Sequence, residues 1–362
     1  MKNVLRLLLA IIFIISGFVK AVDPVGFSFK LEEYFSPAVF NLPFLEQFAL
    51  PLSIAIVAVE FLLGVFLLLK IRTKKTLYLL LAICIFFAFL TFYSAYFNVV
   101  TDCGCFGDAL KLTPWTSFAK DIILLVLILI LLRLEKNDQQ NNICLFKSGF
   151  FTQLALSISV IFLIIFILAG VYAEPLIDFR DYKIGTDLKV EKAKIAENPS
   201  LYKVFYTLKN KKTGEEKTMS QDDYISTGIW EDANWEILTD KTTEKEVEKG
   251  YDSTIKNFRI TDAVSGEDVT DKILNEPRVF MVFTYKPQLL SAEEIQKLEK
   301  GMLKKDSKIY AVSTDPNTFS KVPHGTMDGT AIKTIARSNP FILILENGKI
   351  VDKEEGKDYF NK

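Results

Sequence analysis

The chain has 362 residues, half of them hydrophobic, with 30 Phe and a formal net charge of −1. That balance, with no basic stripe of interleaved aromatics, excludes a nucleic-acid surface, and four cysteines are too few and too unevenly placed for a secreted disulfide scaffold. The apolar residues crowd into the part up to Tyr172, whereas the chain from Glu174 onward is rich in Lys, Glu and Asp, so a membrane part precedes a water-soluble one.

A helix crossing the hydrocarbon needs about 20 apolar residues, because each advances ~1.5 Å through ~30 Å. Helix is also the state that pairs every backbone group within one segment. Five segments qualify: Val4–Val22, Leu50–Leu69, Leu77–Val100, Ser117–Leu132 and Thr152–Tyr172. The first, led by Lys2 and Arg6, has a second reading as a cleaved signal peptide, against which stands the lack of a small-x-small cleavage site. Three basic groups fall on one side if the N-terminus is cytoplasmic: Lys2 and Arg6; Lys70, Arg72, Lys74 and Lys75; Arg133, Lys136 and Lys147. The loops Asp23–Ala49 and Thr101–Pro114, and everything after Tyr172, then face out.

This topology separates the thiols. Cys84 lies within the third span and reads as a small apolar packing residue; Cys144 falls on the cytoplasmic side and reads as a reduced thiol without a special role. Ligands cannot converge across a bilayer, so no metal site is expected. Cys103-Gly104-Cys105 falls in the outer loop. A bridge across one intervening residue departs from relaxed disulfide geometry and is easily reduced, while Gly104 permits the dihedrals it requires. Exchange chemistry is the first reading, a staple closed once the second, and a metal or free-thiol role the third.

Several strings then resemble known membrane families. Ile15-Ser16-Gly17-Phe18-Val19-Lys20 with Asp23-Pro24, and Leu42-Pro43 followed by Glu60-Phe61-Leu62-Leu63-Gly64, resemble the first two helices of DoxX-like proteins. Asp102-Cys103-Gly104-Cys105-Phe106-Gly107 resembles the loop motif of the MauE branch, and the pieces agree in order over about residues 4–135. The resemblance implies a four-helix core, comparable to membrane disulfide-forming proteins of the vitamin K epoxide reductase type, in a bacterial inner membrane. It also implies support of periplasmic disulfide chemistry with a thioredoxin-like partner. The fifth span and the large outer domain depart from that pattern.

Glu60 lies midway along the second span, where a charge is costly and is paired or functional. Lys20 and Lys120, the latter beside Asp121, are its candidate partners. The cluster reads as an ion pair gluing the bundle or as a site for the polar head of a quinone, the one cofactor considered.

In the soluble part, Tyr202–Leu208, a turn at Asn210–Gly214 and Glu216–Met219 read as a hairpin, with Trp230 and Trp235 as core of a small β-rich unit. From Phe258 onward strands alternate with helices: strands Phe258–Asp262, Arg278–Phe283 and Ser307–Ser313, helices Ala292–Lys304 and Thr330–Ser338, and a hairpin of Phe341–Leu345 with Ile350–Lys353. Ser291 with Glu294 forms a capping box. The order resembles thioredoxin, and Arg337-Ser338-Asn339-Pro340-Phe341 resembles its cis-proline segment, so a cis Pro340 is expected. The loop Thr284-Tyr285-Lys286-Pro287-Gln288 lacks the two cysteines of that family, and without a thiolate there is no nucleophile. Its expected role is to hold a partner through Tyr285, Asn339 and Pro340. His324 reads as an exposed loop residue.

The fold class is therefore a membrane all-α bundle, a four-helix DoxX/MauE-like core plus a fifth span, followed by a soluble α/β thioredoxin-like domain. Its parts are residues 1–136, the loop and fifth span 137–173, a β-rich linker unit 174–256 and the thioredoxin-like unit 257–362. The leading function is periplasmic thiol–disulfide exchange or protein maturation through Cys103 and Cys105. The alternatives are a non-enzymatic membrane anchor with a structural staple, and a subunit of a quinone-linked oxidoreductase or small transporter. Expected partners are the lipid bilayer and a periplasmic or thioredoxin-like protein.

Overall fold

The computed structural model describes residues 2–100, 104, 107–110, 112–136, 149–305 and 307–356. The N-terminal part is helical: α1 (Lys2–Val22), α2 (Pro24–Phe35), α3 (Ala49–Leu68), α4 (Thr73–Phe97), α5 (Pro114–Lys136) and α6 (Gly149–Tyr172). All five apolar runs are helices. Four stretches, Lys2–Val22, Pro43–Leu68, Thr73–Phe97 and Gly149–Tyr172, are long and apolar enough to cross a membrane. Phe89, Ile123, Ile161 and Ile165 lie exposed on the outside of the bundle, an apolar belt suited to lipid rather than water.

The α1–α3 contact explains two short motifs. A Cβ on Gly17 would come within 2.7 Å of the Phe61 backbone nitrogen, and one on Gly64 within 2.8 Å of that of Ile14. The helices thus touch backbone to backbone, as small residues permit in a bilayer. At the end of the bundle holding the N-terminus, the buried Arg6 guanidinium donates to the Leu67 and Leu68 carbonyls at 3.1 and 3.2 Å, capping α3.

At the opposite end the structure corrects one expectation. The stretch Asp23–Ala49 is not a plain loop: it holds α2 and the 3-10 turn Pro43–Phe48. Asp23 is the N-cap of α2, its carboxylate accepting from the Gly26 N–H at 2.8 Å, and Pro24 occupies the first turn. Phe27, Leu31 and Tyr34 turn the buried face of α2 into the bundle core, and the Tyr34 and Ser94 hydroxyls meet at 2.8 Å.

After α6 come α7 (Leu188–Glu197), β1 (Leu201–Asn210), β2 (Glu216–Ser220), α8 (Gln221–Ser226), β3 (Trp235–Ile237), β4 (Thr243–Glu248), β5 (Thr261–Asp262), α9 (Thr270–Leu274), β6 (Arg278–Thr284), α10 (Ala292–Lys304), β7 (Lys308–Ser313), β8 (His324–Thr326), α11 (Gly329–Ile335), β9 (Phe341–Glu346) and β10 (Lys349–Glu355). β1 is the spine of a small antiparallel sheet, pairing with β2, β3 and β4. Trp230 is 56% exposed and so is not core there, and Trp235 is half-buried. This sheet is too thin to close an aromatic interior.

The larger sheet has the order β10-β9-β6-β7-β8-β5, with β6 and β7 parallel and β9 antiparallel to β6. The apolar runs of β6 and β9 are buried, as strands covered on both faces must be. Ser291 and Glu294 close the expected capping box on α10. The core also takes in Tyr182, Leu188 and Ile255, so it reaches back across the expected 256/257 boundary. Expected strand Phe258–Asp262 shrinks to two residues, because the preceding Thr254–Asn257 is a 3-10 turn. His324 lies in a strand, half-buried, its ring nitrogens 2.9 Å from the Val322 carbonyl and 3.1 Å from that of Pro316.

Candidate functional site

The site lies where the α/β domain meets α2. The outward face of α2 presents Phe29 and Glu32, and the domain answers with the loop after β6 and the segment after α11. Glu32 accepts from Lys286 Nζ at 2.7 Å and from Lys333 Nζ at 2.9 Å. Arg337, with its side chain 3% exposed, donates to Asp23 at 2.7 Å and to Asp108 at 2.9 Å. The Tyr285 ring meets Phe29 edge-on at 5.2 Å, and Lys333 lies 5.1 Å from the Phe29 centroid. Burial against this face, with the Glu32 charge nearby, holds the Tyr285 phenol up at about 12.

A cavity of about 340 Å³ opens at this junction, lined by Phe27, Glu32, Gly104, Asp108, Lys333 and Arg337 among others. Gly104 and Gly107 both have positive φ, 64° and 52°. Cys103 and Cys105, the residues on either side of Gly104, lie outside the described residues, as does Cys144. The expected exchange site is therefore located through its central glycine and through Asp108.

Residues 1–134 match the family model described as methylamine utilisation protein MauE. The match covers α1 to α5 and stops short of α6 and the α/β domain, so the part resembling MauE is the helical bundle. No curated protein and no solved structure matches the chain.

Inside the bundle, Lys20 and Glu60 do meet: Lys20 Nζ lies 2.7 Å from Glu60 Oε2 and 3.1 Å from Ser16 Oγ, both side chains 3% exposed or less. The Phe87 ring faces the ammonium at 4.7 Å. Lys120 instead pairs with Asp121 at 2.8 Å, and Thr91 donates to Asp121 at 3.1 Å. Cys84 borders the same space as Lys20, Glu60, Lys120 and Asp121, but that space is only about 10 Å³. It has room for about one water, so a quinone head does not fit, and Glu60, Lys20 and Lys120 read as paired charges. Among the described residues no group of three or more His, Cys, Asp or Glu gathers as a metal site.

The Asn339–Pro340 peptide is cis. Asn339 Oδ1 accepts from the Tyr285 N–H at 3.2 Å, its Nδ2 donates to the Lys286 carbonyl at 2.9 Å, and Pro340 is buried. Tyr285, Asn339 and Pro340 are thus brought together, but against the chain's own α2 rather than on a free surface, which corrects the expected partner-holding role. Beside them the linker is locked: Arg180 pairs with Glu174 and Asp178, and Lys353 bonds Asp178 at 2.7 Å. Burial, then the Arg180 charge, pulls the Lys353 ammonium down to about 8 despite the two carboxylates.

The residues that sequence reasoning missed are Asp23, Glu32 and Asp108 on the bundle, and Lys286, Lys333 and Arg337 as their partners. One signal was available: Asp23-Pro24 is a helix start, N-cap followed by proline, and would have exposed α2. Nothing in sequence pairs α2 with residues some 300 positions later.

Proposed function

We propose that this is a bacterial inner-membrane protein of thiol–disulfide exchange, acting through Cys103 and Cys105 on the periplasmic side. The carrying observation is that Gly104, between the two cysteines, lines the cavity beneath the α/β domain. The orientation is supported by charge: Arg6, Lys70, Arg72, Lys74, Lys75 and Arg133 belong to the end away from α2. The MauE match supports the membrane framework. Nothing specific to methylamine is carried over.

In the step itself a partner thiolate attacks one sulfur of the Cys103–Cys105 disulfide. A mixed disulfide forms, the displaced sulfur takes a proton, and the partner's second thiolate resolves the mixed bond. Two electrons pass to the cysteine pair, and a thioredoxin-like partner carrying a disulfide reverses the sequence when its potential is higher. The α/β domain takes no part in electron transfer, because Thr284–Gln288 holds no cysteine. Its sheet order, the cis Pro340 and the loop after β6 support the thioredoxin-like reading.

Cys103→Ala and Cys105→Ala variants test this. One of them should trap a mixed disulfide with a partner protein. The pair should titrate at about −120 to −200 mV, the range of exchange catalysts. A bridge below about −300 mV with no trapped partner refutes exchange and leaves a structural staple.

A further inference from the structure

We propose that the α/β domain is an ionic cover over the Cys-Gly-Cys motif, and that it lifts before a protein partner reaches Cys103 or Cys105. The purpose of lifting rests on the exchange reading; the cover itself does not. Three observations carry it. First, charge is sorted across the junction: Asp23, Glu32 and Asp108 on the bundle face Lys286, Lys333 and Arg337 on the domain. Such complementarity fixes how two surfaces dock and makes the docking sensitive to salt.

Second, the space left beside Gly104 is about 340 Å³. That is at the lower end of pockets for single small molecules, about 300–1,000 Å³. A small thiol reagent enters; a folded partner does not.

Third, the domain is built to move as one piece. Arg180 donates to the Ile335 carbonyl at 3.0 Å as well as to Asp178, and Lys353 bonds Asp178, so the linker from Glu174 is fastened to the domain. Motion is therefore placed on the membrane side of Glu174, next to the end of α6.

Glu32 is the residue to test. Arg337 is unsuitable, because it also donates to the Lys333 and Ala336 carbonyls and so closes α11. The full-length protein is used with Cys84→Ala and Cys144→Ala, leaving Cys103 and Cys105 as the reactive thiols. After reduction, labelling is timed with a small maleimide and with a polymer-linked maleimide the size of a small protein. In the parent, the bulky reagent should lag the small one at least tenfold. Glu32→Lys, and separately Lys286→Glu with Lys333→Glu, should speed the bulky reagent by about tenfold, the loss of partly buried pairs, and leave the small one unchanged. Combining all three substitutions restores opposite charges and should restore the lag, which separates loss of docking from loss of folding. Equal rates for both reagents in the parent, an unchanged lag in both charge variants, or no restoration in the combination overturns the cover. Exchange fails independently: if no mixed disulfide is trapped while the size-dependent lag behaves as described, the cover stands and the exchange reading falls.

Discussion

Removing one partner of the Lys20–Glu60 pair is expected to harm the bundle more than removing both. Lys20 is 2% exposed, with Glu60 Oε2 at 2.7 Å, the Ser16 hydroxyl at 3.1 Å and the Phe87 ring at 4.7 Å. In Glu60→Leu the ammonium keeps the hydroxyl, worth about 1.5–3 kcal/mol as a bond to a charged group, and the ring, worth about 0.5–2 kcal/mol. Neither replaces an opposite charge for an ion held out of water, whose effective penalty is several kcal/mol. The net loss should be about 3–5 kcal/mol. Lys20→Met combined with Glu60→Leu removes both charges and leaves volume nearly unchanged, so it should lie within ~1 kcal/mol of the parent or be more stable. Equilibrium unfolding of the four proteins in one detergent gives the coupling energy directly. A coupling near zero, with the double variant as unstable as the sum of the singles, refutes the assignment of this pair as charges that need each other.

Lys353 sheds its proton at about 8 in the folded chain against 10.5 for an ordinary lysine, so between those pH values the unfolded state binds more protons and stability should rise with pH; the gain is about 3 kcal/mol, and a thermal-unfolding pH series that Lys353→Met does not flatten would contradict it. On the acid side, burial alone would raise Asp178, but Arg180 and Lys353 hold it at about 2, so its contribution should be lost as pH falls from about 4 to 2, a loss that Asp178→Asn removes from the acid titration. Gly17→Ala should cost about 1–3 kcal/mol by forcing α1 off the Phe61 backbone, read as a lowered unfolding midpoint in detergent. Ser291→Ala should cost about 1 kcal/mol, seen as faster amide exchange confined to the first turn of α10.

Much of the architecture was legible because its signals are local. Long apolar runs, the capping box at Ser291 and Glu294, and the buried runs of β6 and β9 each declare themselves within a few turns or strands. The Ser-Gly and Glu-x-x-x-Gly strings, each weak alone, gain their meaning from meeting: Gly17 rests on Phe61 and Lys20 pairs with Glu60. Trp230 was misassigned because aromatic content signals burial only where a second layer exists, and the small sheet has none over that residue. The quinone reading failed on volume, a quantity no spacing of charges reveals.

From the sequence alone came the membrane bundle, the α/β order after it, the cis Pro340 implied by resemblance and the importance of Cys103-Gly104-Cys105, since these depend on periodicity, chain neighbours and residue chemistry. The tertiary structure decided what faces what. It set α2 between the bundle and the domain, turned Tyr285 onto Phe29, and brought Arg337 to Asp23 and Asp108. Those contacts join residues more than 200 positions apart, and their energy comes from charges buried together, which the linear order of residues does not encode.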